Sequence, residues 1–225
     1  AEQERDRLRL EVIQLDEILS ENNQLRNALQ YLEKSPLSLV ASRVISRKPS
    51  NWYNTLVIDK GSDEGVAVDS PVIVPLGEEA GLVGKISEVI GPHSALVLLL
   101  TDEMCQVSAK LQNSQEQGIL SGERGALRTL PNLHLRYLPK EIVATPGLKI
   151  FSSGMGELFP ANLLLGEVVN LRASVIDAEA VVKPAVNFDN LVDLFVILPT
   201  KDAKALPADA AGVPDPVTPS TSVKP

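Results

Sequence analysis

The chain has 225 residues, 44% of them apolar but only 4% aromatic, so a buried core is affordable in size and must be built from Val, Leu and Ile. A formal net charge of −8 without a long basic run excludes a nucleic-acid surface, which needs clustered Lys and Arg. The one cysteine, Cys105, cannot form an internal disulfide and reads as a small buried apolar residue, and no stretch reaches eighteen consecutive apolar residues.

Residues 1–35 carry a seven-residue repeat. With Leu8, Leu15, Asn22 and Leu29 at position a, the d positions are Glu11, Ile18, Leu25 and Leu32, and the four-three alternation of a coiled-coil seam follows. Glu11 is the one break, and Val12 beside it partly covers the gap. Asn22 in mid-seam is a register device, because its amide pairs with its twin in a parallel dimer. Glu21 at g and Arg26 at the following e make the interchain pair that a parallel register brings together. The competing assignment is an amphipathic helix lying on its own domain, with Val12 and Leu19 widening the apolar face. The expected dimerisation residues are thus Leu8, Leu15, Ile18, Asn22, Leu25, Arg26, Leu29 and Leu32. Because the repeat begins at the first residues, a membrane-anchoring segment is expected upstream of Ala1.

Ser35-Pro36 ends the helix near Glu33 or Lys34, since the residue before proline is pushed out of the helical region. Beyond it, short alternating runs separated by Gly, Pro, Asn and Asp predict strands near 38–47, 54–59, 71–75, 80–89, 95–101, 104–111, 117–121, 125–130, 133–138, 148–152, 163–171, 180–187 and 191–198. No helical interval is long enough for a crossover, which excludes parallel βαβ architecture. The fold class is mainly β, a coiled-coil helix followed by two small β-barrel domains. The expected units are 1–35, the helix; 36–114, the first barrel region; 115–199, the second, with strands open to exchange between the two; and 200–225, a disordered Pro- and Ala-rich tail. The polar stretch Gln112–Gln117 is the candidate linker. Gly61 and Gly65 bracket a turn, while Gly81 and Gly84 sit inside a strand, where glycine marks a bulge or barrel corner.

His93, Asp102 and Ser153 stand in the chain order of a chymotrypsin-like protease, with Gly154 and Gly156 after the serine. The short His93–Asp102 spacing, and Ser152 where that family's motif has an acid, argue against proteolysis. His134, in LHLRYLP, is expected to face solvent and lacks Cys or His partners for a metal. No catalytic, cofactor-binding or metal-binding residue is predicted, and no small-molecule substrate. Trp52 and Tyr53 in SNWYN and Phe159 in GELFPAN are the partner-binding candidates, because loop aromatics often anchor interfaces; the alternative for each is packing over a barrel end.

The ordered set Leu56-Val57-Ile58-Asp59-Lys60-Gly61, Gly65-Val66, Gly81-Leu82-Val83-Gly84-Lys85-Ile86, Leu99-Leu100-Thr101-Asp102, Gly118-Ile119-Leu120-Ser121-Gly122, Ser153-Gly154, Gly156, Phe159-Pro160 and Leu165-Gly166-Glu167-Val168 resembles the MreC family of bacterial rod-shape-determining proteins. The resemblance covers about residues 36–200. It implies two small β-barrels behind a helix, placed on the extracytoplasmic side of the cytoplasmic membrane, and a non-enzymatic scaffold. It also implies association with MreD, the elongation penicillin-binding transpeptidase and RodA, and indirectly with MreB filaments. Such a scaffold would dimerise and position peptidoglycan synthases, and exposed barrel strand edges would offer a route to filaments. The alternative from another class is a periplasmic adaptor of a transport or secretion assembly, which requires two antiparallel helices where this sequence predicts one.

Overall fold

The computed structural model describes residues 2–123, 132–156 and 158–199. Helix α1 spans Glu2–Lys34, 33 residues and about 50 Å at 1.5 Å per residue, and ends at the expected Ser35-Pro36 step. Twelve strands follow: β1 Leu39–Ser46, β2 Thr55–Ile58, β3 Pro71–Leu76, β4 Glu79–Gly91, β5 Ser94–Leu99, β6 Val107–Leu111, β7 Gln117–Gly122, β8 Leu133–Leu138, β9 Lys149–Ser152, β10 Leu164–Ala173, β11 Ala178–Pro184 and β12 Asp193–Ile197. Each coincides with a predicted strand; the remaining predicted strand, 125–130, and the expected tail, 200–225, lie outside the described residues.

The fold is mainly β. Strand pairing returns on itself in the order β4-β3-β12-β1-β2-β5, closed by β5 on β4, and again in the order β6-β9-β10-β11-β8-β7, closed by β7 on β6. These two six-stranded rings meet where β10 runs parallel to β4, Leu164 opposite Gly81. Closure matters for association: a strand in a closed ring has partners on both sides, so the described strands of these rings lack the open edges expected from the sequence. Gln112–Glu116 is the turn of the β6–β7 hairpin, inside one ring, and the chain passes between rings at 100–106 and again at 185–192.

Alternation builds the wall of each ring. Along β5 and β6 every second residue is buried, which is the period-two signature of a strand with one face on a core. The apolar core is one continuous cluster that runs through both rings, from Leu56, Ile58 and Val97 to Leu120, Leu135 and Val182, with Phe188 fully buried in the 185–192 passage. Cys105 is buried in it, and burial pushes its thiol up to about 12, so it is inert packing. Gly84 shows why glycine interrupts β4: a Cβ there would stand 2.0 Å from the Leu98 carbonyl oxygen of the paired strand β5. At the turn after β2, Gly65 has φ +80°, its N–H donates to Ser62 O at 3.0 Å, and Gly61 N–H donates to Glu64 Oε2 at 2.8 Å.

Candidate interaction surfaces

Helix α1 keeps the apolar side chains described for it in solvent. Leu8, Leu15, Ile18 and Leu29 of the heptad seam are 53–60% exposed, and flanking Leu10, Val12, Ile13 and Leu19 are 56–63% exposed. These side chains are not buried against the chain's own domain, and the helix meets the strands at β3. Asn22 is exposed, and its Oδ1 accepts from Arg26 Nε at 2.7 Å, one turn along the same helix. That bond leaves the Asn22 amide NH2 free to donate elsewhere. Glu21 borders a groove shared with Ala41, Arg43, Leu76 and Val192, so the middle of α1 stands beside the first ring.

Trp52 and Tyr53 lie together between β1 and β2, both partly exposed. The Arg47 guanidinium sits 4.1 Å from the centre of the Trp52 ring and donates from Nε to Trp52 O at 2.8 Å. Burial pulls the Arg47 guanidinium below its ordinary value, opposed by the charges of Tyr53 and Asp189. The Tyr53 hydroxyl donates to Asp189 in the 185–192 passage, and that hydrogen bond, ahead of burial, raises the phenol. The pair therefore ties the β1–β2 loop to the chain that links the rings. Neither Arg47 nor Asp189 figured in the sequence reading, because Asp189 is 136 residues from Tyr53 and no local pattern joins them.

Two expectations are corrected here. Phe159 is a core residue, 6% exposed, so of its two possible roles the structure gives it packing. His134 does not face solvent: it is 8% exposed, with Nδ1 2.7 Å from Glu179 Oε1 and Nε2 2.8 Å from Glu123 Oε2. Arg136 Nε reaches the same Glu179 oxygen at 3.2 Å. Burial alone would raise the Glu179 carboxyl, but His134 and Arg136 outweigh it and hold the group below the usual carboxylate range. The outer face of β8 thus carries a charge network in place of a hydrated histidine.

The protease arrangement is not assembled. His93 is held by Glu64, 2.7 Å from Nδ1; Asp102 accepts from Asn54 and from the Met104 N–H at 2.7 Å; the Ser153 hydroxyl accepts from Met155 N–H at 3.3 Å. Each has a partner other than the two it would need.

The third surface is a cavity of about 800 Å³ where three parts meet. Leu37 follows the helix, Ala80 belongs to the first ring, and Phe151, Pro160, Ala161 and Leu163 belong to the second. Beside it Lys149 Nζ of β9 bonds Glu79 of β4 at 2.9 Å, an ion pair across the junction.

A family described as "Rod shape-determining protein MreC, barrel core" matches residues 44–198, which include every strand except the first residues of β1. The chain belongs to the MreC family. It is 32% identical over 196 residues to the cell shape-determining protein MreC of Listeria monocytogenes, covering 83% of this chain and 63% of the relative. The MreC of Geobacillus stearothermophilus is 30% identical over 202 residues, covering 84% and 68%. The chain thus spans a little under two thirds of the Listeria relative. Among solved structures, one named MreC superposes with a TM-score of 0.69 at 26% identity, covering 80% of this chain and 99% of that one. A complex between penicillin-binding protein PBP2 and MreC from Helicobacter pylori contains a chain that superposes with a TM-score of 0.54 at 15% identity, covering 71% and 99%, a likeness of fold. Among the described residues α1 is the one α-helix, and no described helix is long and apolar enough to cross a membrane.

Proposed function

We propose that this MreC family member is a non-enzymatic scaffold that pairs through α1 as a parallel coiled coil and presents its two rings, as two barrel domains, to peptidoglycan synthases that maintain rod shape. The observation that carries this reading is the exposed heptad seam. Leu8, Leu15, Ile18 and Leu29 would cost about 1.5 to 3 kcal/mol each to leave in water relative to burial, and a second copy in register covers them together. Asn22 then lies opposite its twin, and Arg26 has two acceptors in reach, Asn22 of its own helix and Glu21 of the other. Leu25 and Leu32 complete the repeat.

Two copies side by side place both sets of rings on one side of the pair, and a partner that touches both gains from effective concentration. A transpeptidase of the penicillin-binding class is the partner favoured by the fold shared with the Helicobacter MreC that is complexed with PBP2. MreD and RodA in the membrane, and MreB through them, follow from the family reading, as does a place on the extracytoplasmic side. Trp52 and Tyr53 remain the partner-binding candidates of the first ring.

Sedimentation equilibrium of the chain tests the pairing. A dimer at tens of micromolar, reduced to a monomer by Leu15→Asp with Ile18→Asp, is the expected result. A monomer throughout that range overturns the reading.

A further inference from the structure

The chain crosses between the rings twice, at 100–106 and at 185–192, and both crossings are bonded to two consecutive residues of the β1–β2 loop. Tyr53 donates its hydroxyl to Asp189 in the second crossing, and its carbonyl accepts from the Thr101 hydroxyl in the first. Asn54, the next residue, donates from Nδ2 to Asp102 Oδ2, again in the first crossing. One loop of the first ring thus holds both lengths of chain by which the second ring is attached.

Asp102 carries the inner bond. It is 9% exposed, its Oδ1 accepts from the Met104 N–H at 2.7 Å, and its carbonyl accepts from the Gly122 N–H at 3.3 Å, at the end of β7 in the second ring. A Cβ on Gly122 would stand 2.0 Å from the Thr101 carbonyl oxygen, so crossing and strand are in close contact there. The line from Asn54 through Asp102 to Gly122 joins the rings by way of one buried carboxylate, which is costly to leave without its donors. The second crossing is fastened at both ends. Ala185 N–H donates to Leu165 O of β10 at 3.1 Å, Val44 N–H of β1 donates to Val192 O at 2.9 Å, and Phe188 is fully buried between them.

Other contacts across the junction do less to fix its angle. The side chains of the Lys149–Glu79 pair are 36% and 37% exposed, a setting in which ion pairs contribute little. The shared apolar core holds the rings together, but apolar contact is non-directional, whereas a hydrogen bond has a preferred direction. We propose that Tyr53 and Asn54 form a clasp that sets the angle between the two rings, Asn54 through Asp102 and Tyr53 through Asp189, so that opening it lets the second ring turn about the β4–β10 seam. The two bonds are exposed to different degrees. Asp189 stands in solvent, within reach of a partner seated on neighbouring Trp52, while Asp102 is closed to it. The clasp goes beyond the scaffold reading and requires nothing of the helix pairing.

Distances between spin labels on the full chain, read by pulsed electron resonance, test it. Cys105 is buried and its thiol pushed up to about 12, so labels attach to introduced cysteines. Ile90→Cys in the first ring with Val175→Cys in the β10–β11 turn of the second reports the angle, and Ile45→Cys with Ile90→Cys reports the first ring alone, all three sites being exposed. Labelled chains are diluted in excess unlabelled chain, so that only distances within one chain are read. With the clasp intact the inter-ring distribution is expected to be one narrow peak. Tyr53→Phe combined with Asn54→Ala is expected to widen that peak roughly twofold or to split it, Asn54→Ala alone giving the larger share, while the intra-ring peak keeps its width. Ser87→Ala, which removes a hydrogen bond within the first ring, from Ser87 Oγ to Leu96 O at 3.2 Å, is expected to leave both peaks unchanged. An inter-ring peak unmoved by the double variant overturns the inference. So does equal broadening of the intra-ring peak, which would make the loop a support of its own ring and nothing more.

Discussion

Leu56 and Ile58 in the first ring, like Leu120 and Leu135 in the second, are at most 1% exposed, whereas Leu8, Leu15 and Ile18 of α1 are more than half exposed. Both regions are written in apolar periodicity, one of two residues and one of seven, yet only the strands find their counterpart within the chain. The rings consume their own apolar surface because closure supplies a partner on each side of every strand. A lone helix has no such closure. On the pairing proposed above its seam is covered by a second helix, so the two regions would separate into a part that folds by itself and a part that assembles.

Mutations should sort by that division. Phe188→Ala, at a fully buried site in the passage between the rings, is expected to cost about 3 to 5 kcal/mol and to lower Tm by roughly 2 to 4 °C for each of these, read by calorimetry. Phe159→Ala, at a core position, should fall in the same range. Gly84→Ala should rival them, since the added Cβ meets the Leu98 carbonyl oxygen at 2.0 Å and the β4–β5 ladder must open to admit it. In contrast, Leu15→Asp with Ile18→Asp should leave the ring transition within about 0.5 kcal/mol of wild type while abolishing association. A large loss of ring stability from the helix variant would break the comparison.

Asn22→Leu sharpens it. An apolar a position strengthens the seam and removes the residue that fixes register, so chains carrying it are expected to associate more tightly but with mixed copy number, visible as a shift from dimer towards trimer or tetramer in sedimentation velocity. At the Arg47 corner the expected effect is smaller. Trp52→Ala removes a partly exposed ring and its contact with the guanidinium, worth about 0.5 to 1 kcal/mol, so a Tm change of a few degrees at most is expected.

How far the sequence announced this structure follows from how local each signal is. Strands such as β5 and β8 were legible to within a residue or two because alternation is written in consecutive positions. The end of α1 was legible because proline acts on its immediate neighbour. Barrels were expected, but not which strands close them, since β5 on β4 and β10 on β11 are near in sequence while β1 on β12 joins residues more than 140 apart, Arg43 with Asp193. The same distance misled the reading of His134. Strand alternation put it outside, correctly, but its burial comes from Glu179, 45 residues on, and Glu123, 11 residues back, which no window around His134 contains. Phe159 was ambiguous for a related reason: a loop aromatic is either anchor or plug, and only the packed core decides.

That carboxylate network gives the smallest expected effect and the one confined most closely to the second ring. Glu179 is held below the usual carboxylate range in the folded chain by His134 and Arg136, against the effect of burial. A carboxyl whose folded value is depressed contributes stability that is present above its unfolded value and lost as pH falls through the folded one. Stability should therefore decline as pH falls below the ordinary Glu value of about 4.3. Glu179→Gln should flatten that part of the profile while leaving the neutral-pH Tm only slightly lower, because the amide still offers an oxygen to Arg136 but no charge to His134. Were the acid limb unchanged in Glu179→Gln, the depression of this carboxylate would not be what couples β8 to β11, and Asp or Glu residues elsewhere would have to carry the acid response. Since Glu4, Asp6, Glu11, Asp16, Glu17, Glu21 and Glu33 of α1 are exposed to water, the same titration on a chain carrying Leu15→Asp and Ile18→Asp should show the identical difference between wild-type and Gln at position 179, which locates the pH response in the ring and leaves the helix outside it.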